Sequence, residues 1–465
     1  MKAQTLEKDV KKVAVEFGLK DGNAIVRSNI TSESFKKGGA YFGYIRPEEA
    51  SSGIYYDVSF VIFPQEEGRS CIVAIVVGSA GFQRDYDLVS TPSLRRLYKR
   101  LTTADGSYFF KNDFTNIESA IPELRKALKG DLADLEEAVK LYGKCILAAS
   151  VIDLTSECGF PIISAWLAQY AQLRGWGDAT QRENQKQAIN RLIGTQLPVD
   201  IDRDIRDLLR FKRFVVLQGA PGTGKTYNAL KVSQDYQETH LIQFHAETSY
   251  TDFVGGIRPV LSSDQLKYEA YDGKLIEAIQ AADKVREAGG RVLLIIDEIN
   301  RANLANVLGP IFFLFENHVG ERNIPLQVGT LSLSKLPDNL DVIATMNTAD
   351  RSLAVVDFAL RRRFAWYTIR PQVIEPKDGQ TFHKDLFREF CDIFERYASD
   401  EELNLQPGPS YFLTDAKDNK QLMKMRLIYE LMPLIKEYLA EGLLQKAADS
   451  FAHLFYTEAG VYLYE

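Results

Sequence analysis

At 465 residues the chain is too long for one ordinary hydrophobic core, so two or three domains are expected. Hydrophobic residues at 45% and charged residues at 26% describe a globular chain that folds in water, and the net charge of -7 excludes a wholesale nucleic-acid coat while leaving room for a local basic patch. The four cysteines, Cys71, Cys145, Cys158 and Cys391, lie too far apart for a zinc knuckle or a redox pair and read as free thiols in a reducing cytosol. The opening MKAQTLEKDV lacks the apolar stretch of a signal peptide, and the apolar run 71–77 is far too short to span a membrane. A cytoplasmic chain with no membrane role is expected.

Residues 1–35 read as a charged helix followed by a polar loop. Between about 41 and 81 aromatic and β-branched residues dominate. IYYDVSFVIF and SCIVAIVVG read there as two strands joined by the turn PQEEG. SLRRLYKRL then reads as a short basic amphipathic helix. Residues 117–151 show helical periodicity, with Pro122 near a helix start and Gly130 as a break. The polar, partly helical stretch LRGWGDATQRENQKQAINRLIGTQLP marks a domain boundary.

From residue 200 the pattern changes. IDRDIRDLLRFKR reads as a helix, and FVVLQG, VLLIID and DVIATMN as buried strands of the parallel kind, with helical segments between. From Lys384 onward the chain is almost entirely helical (LFREFCDIFERYA, LMKMRLIYELMPLIKEYLA, LLQKAADSFAHLFY). The expected fold class is an α/β P-loop core of AAA+ type, a parallel sheet with flanking helices, followed by a C-terminal helical lid and preceded by an N-terminal α+β module. The expected divisions are 1–170 for the N-terminal module, 171–199 for a linker, 200–372 for the core and 373–465 for the lid.

GAPGTGKT, residues 219–226, is a complete Walker A pattern between a strand and a helix. Gly219, Ala220, Pro221, Gly222, Thr223 and Gly224 form a loop whose amides can wrap phosphate, with a helix N-terminus behind it. Lys225 is placed to reach the β- and γ-phosphates, Thr226 to ligate magnesium, and Tyr227 to flank the nucleotide. RVLLIIDEINRAN supplies Asp297 for the magnesium shell and Glu298 to polarise the attacking water. MNTADR ends a third strand, and in AAA+ proteins a polar residue at the end of the strand between the two Walker strands orients the water; Asn347 fits that role. VVDFALRRRF carries Arg361, Arg362 and Arg363, either a solvated face or arginines that reach a neighbour's γ-phosphate.

IQFHAETSYTDFVGGIRP, LLIIDEINRANLANVLGPIFFLFE and MNTADRSLAVVDFALRRRFAW resemble, in order and spacing, the core segments of McrB-type AAA+ GTPases. The likeness runs over about 200–364, with weaker echoes in GPSYF and LMPLIKEYL. It implies a homo-hexameric ring that prefers GTP to ATP, requires Mg2+, acts on DNA, including DNA with modified bases, and drives a nuclease subunit of McrC type. It places Asn300 and Arg301 at a subunit interface, and the arginines that complete a neighbour's site at Arg362 and Arg363. The lid shows no clear sensor-2 arginine. EEASSGIYYDVSFVIFPQEEGRSCIVAIVVGSAGF resembles the specificity domains of the same family, which read modified DNA. Tyr41, Phe42, Tyr44, Tyr55 and Tyr56 with Arg84, Arg95, Arg96, Lys99 and Arg100 form either a base-reading pocket or a β-core beside a solvated helix. Two further readings are a MoxR-like AAA+ ATPase chaperone that remodels a protein, and a nucleotide-gated scaffold; the intact Glu298 and Asn347 argue against the scaffold.

Overall fold

The computed structural model describes residues 2–49, 58–78, 92–102, 107–111, 120–193, 199–262, 265–316, 326–328, 331–349, 358–415 and 419–464. It divides into two compact units, Met1–Leu197 with Glu395–Asp400, and Pro198–Phe394 with Glu401–Glu465.

The first unit contains α1 (Ala3–Glu16), β1 (Ile25–Asn29), α2 (Ser32–Lys36), β2 (Tyr41–Ile45), β3 (Val58–Pro64), β4 (Ser70–Val77), α3 (Pro92–Lys99), β5 (Ser107–Phe110), α4 (Pro122–Ala127), α5 (Ala133–Tyr142), β6 (Ile146–Asp153), α6 (Gly159–Leu173) and α7 (Ala179–Ile193). Its six strands form one sheet in the order β1-β2-β3-β4-β6-β5, antiparallel at every pairing. Alternation along β3 and β4 feeds two cores. Phe60, Ile62, Val73 and Ile75 pack on one face with residues of α1, α6 and α7; Val61, Phe63, Ile72 and Ala74 pack on the other with α4 and α5.

Three expectations are corrected here. Residues 146–151, read as helical, belong to the strand β6: apolar side chains point to both buried faces, so a period-2 alternation of polar and apolar residues never appears. The loop expected before residue 35 contains β1, a short edge strand whose IVRSN carries little apolar signal. The stretch 171–199, expected as a linker, is largely the helix α7, and its buried Ile189 and Leu192 belong to the first unit's core beside Trp176. A charged, solvent-facing majority hides this narrow apolar stripe.

The second unit opens with α8 (Ile201–Phe211), capped by the Asp200 side chain accepting from the Arg203 amide. There follow β7 (Phe214–Gly219), α9 (Lys225–Val232), β8 (Glu238–Gln243), the hairpin β9 (Gly255–Ser262) and β10 (Gln265–Asp272), α10 (Lys274–Arg286) and β11 (Val292–Asp297). A small pair β12 (Leu326–Val328) and β13 (Leu331–Leu333) precedes β14 (Leu340–Asn347), α11 (Phe358–Arg363) and β15 (Ala365–Thr368). The core sheet is wholly parallel, in the order β15-β7-β14-β11-β8. Its central strands are buried on both faces, the α/β arrangement expected for the core. The lid comprises α12 (Lys384–Tyr397), α13 (Asn419–Arg426), α14 (Met432–Ala440) and α15 (Ala448–Ala459), with the strand pair β16 (Gln380–Phe382) and β17 (Leu413–Asp415). A widened π turn, Leu427–Leu431, runs into Pro433, which has no N–H to donate.

The hairpin β9–β10 was not anticipated. Its register sets Ile257 opposite Ala270, Pro259 opposite Tyr268 and Leu261 opposite Leu266 on one face. Ile257, Leu261, Leu266 and Tyr268 are 70%, 80%, 59% and 70% exposed. Pro259 is tolerated because, among the described residues, β9 has no third strand to receive its missing N–H. No helix among the described residues is long and apolar enough to cross a membrane.

Candidate functional site

The site begins at the C-terminal end of β7. Gly222 and Gly224 adopt φ of 76° and 87°, a left-handed conformation that favours glycine, and Gly224 caps α9. The loop is held by its own hydrogen bonds. The Thr223 hydroxyl donates to the Ala220 carbonyl at 2.9 Å, and the buried Lys225 ammonium donates to the carbonyls of Gly219 and Ala220, each at 3.0 Å. Thr226, in the first turn of α9, donates to Asp297 Oδ1 at 2.8 Å.

Asp297 and Glu298 stand at the end of β11. β14, which ends in Asn347, lies between β7 and β11 in the sheet. The Thr345 hydroxyl donates to Asp297 Oδ1 at 2.6 Å and accepts from the Glu298 amide at 3.0 Å. Thr345 was missed in the sequence; a fully buried hydroxyl inside the apolar run DVIATMN is the signal that could have found it. Glu298 is one of two non-glycine residues at positive φ among those described, at φ 55° and ψ 48°. A left-handed backbone at a residue other than glycine stores strain where the strand ends. Arg301 Nε lies 3.6 Å from Glu298 Oε2. The Asn300 amide donates to the Asn347 carbonyl at 3.2 Å, and Asn347 Oδ1 accepts from the Ala349 amide at 3.2 Å. Asn300 Oδ1 is buried with no hydrogen-bond partner among the described residues, which fits a site built to receive a polar ligand. Thr226 and Asp297 offer only oxygen donors, the set that magnesium prefers.

The lid reaches the phosphate loop by backbone. The Gly408 amide donates to the Pro221 carbonyl at 2.9 Å and the Ser410 amide to the Gly222 carbonyl at 3.2 Å. A Cβ on Gly408 would fall on the Gly222 carbonyl carbon and the Thr223 nitrogen, and a Cβ on Gly222 would meet the Tyr411 ring at 3.0 Å. Burial, with Glu430 nearby, raises the Tyr411 phenol above its ordinary range, so it stays neutral. Phe412 anchors the segment against Phe387 and Phe390, with ring centroids 5.3 and 5.5 Å away. The GPSYF segment therefore ties the lid to the phosphate loop through backbone.

The three arginines of α11 separate. Arg363 is 7% exposed, ion-paired with Glu316 and stacked over Phe312 at 5.3 Å. Its guanidinium is engaged within its own unit. Arg361 lies over Trp366 at 5.3 Å. The Arg362 side chain is 71% exposed, 3.6 Å from Glu316. Tyr227 is half exposed beside the loop, with the Lys377 ammonium 4.7 Å above its ring.

In the first unit the aromatic residues divide by face. Phe42 and Tyr44 are core residues, Tyr44 packing against Phe60 and Trp176. This removes them from any open pocket. Tyr41 points to the opposite face. There it lines a cavity of about 360 Å³ with Phe63, Tyr142, Gly43, Arg27 and Lys144. Tyr142 packs edge-on to Tyr41 and stacks on Phe63, with centroids 5.6 and 5.5 Å apart. Tyr55, Tyr56 and Arg84 lie outside the described residues, as does the Arg95 side chain. On α3, Tyr98 is buried against Trp166 while Lys99 is exposed and Arg96 partly buried; Arg100, just past the helix, is also partly buried.

A parallel sheet with a glycine loop after β7, acidic residues at the next-but-one strand end and a polar sensor strand between them defines an AAA-type P-loop nucleotide-binding core. Residues 214–364 match the AAA domain (dynein-related subfamily). The chain is homologous to the McrB subunit: it is 32% identical over 256 residues to the "Type IV methyl-directed restriction enzyme EcoKMcrB subunit" of Escherichia coli (strain K12), covering 50% of this chain and 54% of that protein. It is also 30% identical over 191 residues to the "Type II restriction enzyme BsuMI component YdiS" of Bacillus subtilis (strain 168), covering 32% and 55%. The chain thus spans about half the length of these curated relatives. A solved structure titled a putative ATPase from Cytophaga hutchinsonii overlaps 56% of this chain and 75% of its own at a TM-score of 0.27 and 14% identity.

Proposed function

We propose that this chain is the NTP-hydrolysing motor subunit of a modification-dependent DNA restriction system. In this reading it prefers GTP, works with Mg2+ as a homo-hexameric ring, recognises DNA through its N-terminal unit and drives a separate nuclease subunit of McrC type. The observation that carries the hydrolytic reading is the junction at Asp297, which accepts from Thr226 of the phosphate loop and Thr345 of the sensor strand. One carboxylate oxygen ties the three strands' machinery together, with Glu298 beside it to polarise water. Bound magnesium would neutralise phosphate charge. Thr226 and Asp297 would hold it, Lys225 would draw the β- and γ-phosphates, and Asn347 would orient the water.

The restriction context is supported by the two relatives, which are a subunit and a component of restriction enzymes. DNA recognition is supported by the aromatic cavity of Tyr41, Phe63 and Tyr142 with Arg27 and Lys144 in its lining, a combination that suits a flat base and its phosphate. A second reading, an AAA+ ATPase chaperone of MoxR type, is favoured by one observation: the apolar face of β9–β10 suits a protein partner better than DNA.

The test uses the full chain. GTP turnover above ATP turnover is expected under matched magnesium, with Glu298→Gln binding nucleotide but not turning it over. Fluorescence titration should show tighter binding to a duplex with modified bases than to its unmodified match, weakening as salt rises. Preferred ATP turnover without binding to either duplex at low salt would replace this reading by the chaperone.

A further inference from the structure

The phosphate loop contacts no base, so any preference between guanine and adenine must come from residues beyond it. The sheet order gives the direction in which to look. β14 and β11, with Asn347, Asp297 and Glu298, lie on one side of β7, so the reacting end of a bound triphosphate faces that side. The nucleoside end then points the other way, toward β15.

On that side the segment after β15 closes against the loop. The Ile369 amide donates to the Gln218 carbonyl at 2.8 Å, and the Ile369 carbonyl would meet a Cβ on Gly219 at 2.5 Å. Gln372 donates to the Val199 carbonyl at 3.5 Å, drawing the approach to α8 to the same place. Further along, Lys377 sets its ammonium 4.7 Å from the centre of the Tyr227 ring. Tyr227 directly follows Thr226 and is 51% exposed. A flat apolar face and a cation therefore stand together at the nucleoside end of the site.

We infer that Tyr227 and Lys377 form the base-reading edge of the nucleotide site and that Lys377 selects guanine over adenine. The inference rests on the guanine preference proposed above. A lysine ammonium has three donors and no acceptor. Guanine offers two adjacent acceptors, O6 and N7, whereas adenine pairs its N7 acceptor with an N6 amino donor. A purine packed against Tyr227 meets Lys377 with two acceptors if it is guanine, and with a donor turned toward a donor if it is adenine. The attraction of the ammonium to the phenol face holds Lys377 near this position, from which it passes to the base edge.

The experiment measures equilibrium binding of GTP, ITP and ATP to the full chain and to its Lys377→Met, Lys377→Arg and Tyr227→Ala variants. Inosine keeps O6 and N7 but lacks the 2-amino group, so ITP should bind like GTP. Lys377→Met should lose about tenfold or more in GTP and ITP affinity and little in ATP affinity, the loss expected for a charged hydrogen bond. Lys377→Arg should keep the order, and Tyr227→Ala should weaken all three. Inorganic tripolyphosphate should bind the wild type and Lys377→Met equally, which separates base reading from a damaged phosphate site. If the wild type prefers GTP and Lys377→Met keeps the same GTP-to-ATP ratio, this assignment falls and the guanine preference stands. If the wild type binds ATP as tightly as GTP, the guanine preference falls and this assignment with it.

Discussion

Asp297 is the residue on which the site converges, and Thr345 is what holds it there. Its hydroxyl donates to Asp297 and accepts from the Glu298 amide, so one side chain fixes both acidic positions. Thr345→Val keeps the shape but removes both bonds, leaving a buried amide without its acceptor. The expected cost is about 1–3 kcal/mol of stability. Turnover should fall more than nucleotide affinity, because the phosphate loop keeps its own hydrogen bonds. Thermal unfolding beside kcat and KM checks this; an unchanged kcat would show that the Thr345 hydroxyl has only a packing role. At this scale the sequence was most legible where chemistry demands a fixed spacing. Gly219 to Thr226 declares itself because wrapping phosphate demands glycines and a lysine at that fixed spacing, whereas a lone threonine in an apolar strand looks like any β-branched core residue. The run Arg361, Arg362 and Arg363 could not be divided without knowing that Glu316 returns to Arg363.

The central elements of the second unit were readable because strand and helix alternate over long apolar runs, and β7, β11 and β14 stand where their sequences suggested. The edge strand β8, ETHLIQ, was not readable: its side chains are exposed or half buried, and its two apolar residues, Leu241 and Ile242, are adjacent, so no alternation marks a strand. In the first unit β6 hid for the opposite reason, being apolar on both faces. The lid's helices were legible from periodicity, but the contact between the GPSYF segment and the phosphate loop was not, because it is made by backbone and by the lack of a side chain at Gly408. Gly408→Ala tests that contact. The added methyl must displace the loop or the segment, at about 1–3 kcal/mol for an overpacked site. Nucleotide affinity should fall with it, while the aromatic packing around Phe412 keeps the lid folded. Calorimetric titration with nucleotide, alongside far-ultraviolet circular dichroism, separates the two; unchanged affinity would mean that the segment and the loop move independently.

For the molecule as a whole, the exposed Arg362 bears on whether each catalytic site is complete in one chain. Among the described residues its guanidinium has a 3.6 Å ion pair with Glu316 and is largely in solvent, so it is available to a neighbouring copy in a ring. If it serves a neighbour, Arg362→Ala alone should lose about a thousandfold or more in turnover, as for an arginine finger. Mixed with Lys225→Ala, which keeps its own Arg362, it should regain activity at those interfaces where an intact loop faces an intact arginine. A mixture that forms rings but remains as inactive as its parts would place the role of Arg362 within its own subunit.

The hairpin β9–β10 leaves and rejoins the core at one point: Gly255 pairs with Asp272, and the Gly273 amide donates to the Val254 carbonyl at 2.9 Å. Its two ends are already closed by the core, so strands can be lengthened, shortened or replaced without changing the path of the chain beneath. Folding places little constraint on which residues it carries. An apolar face on so free an appendage adds an aggregation hazard and nothing to the core, so its persistence depends on what the hairpin touches outside the fold.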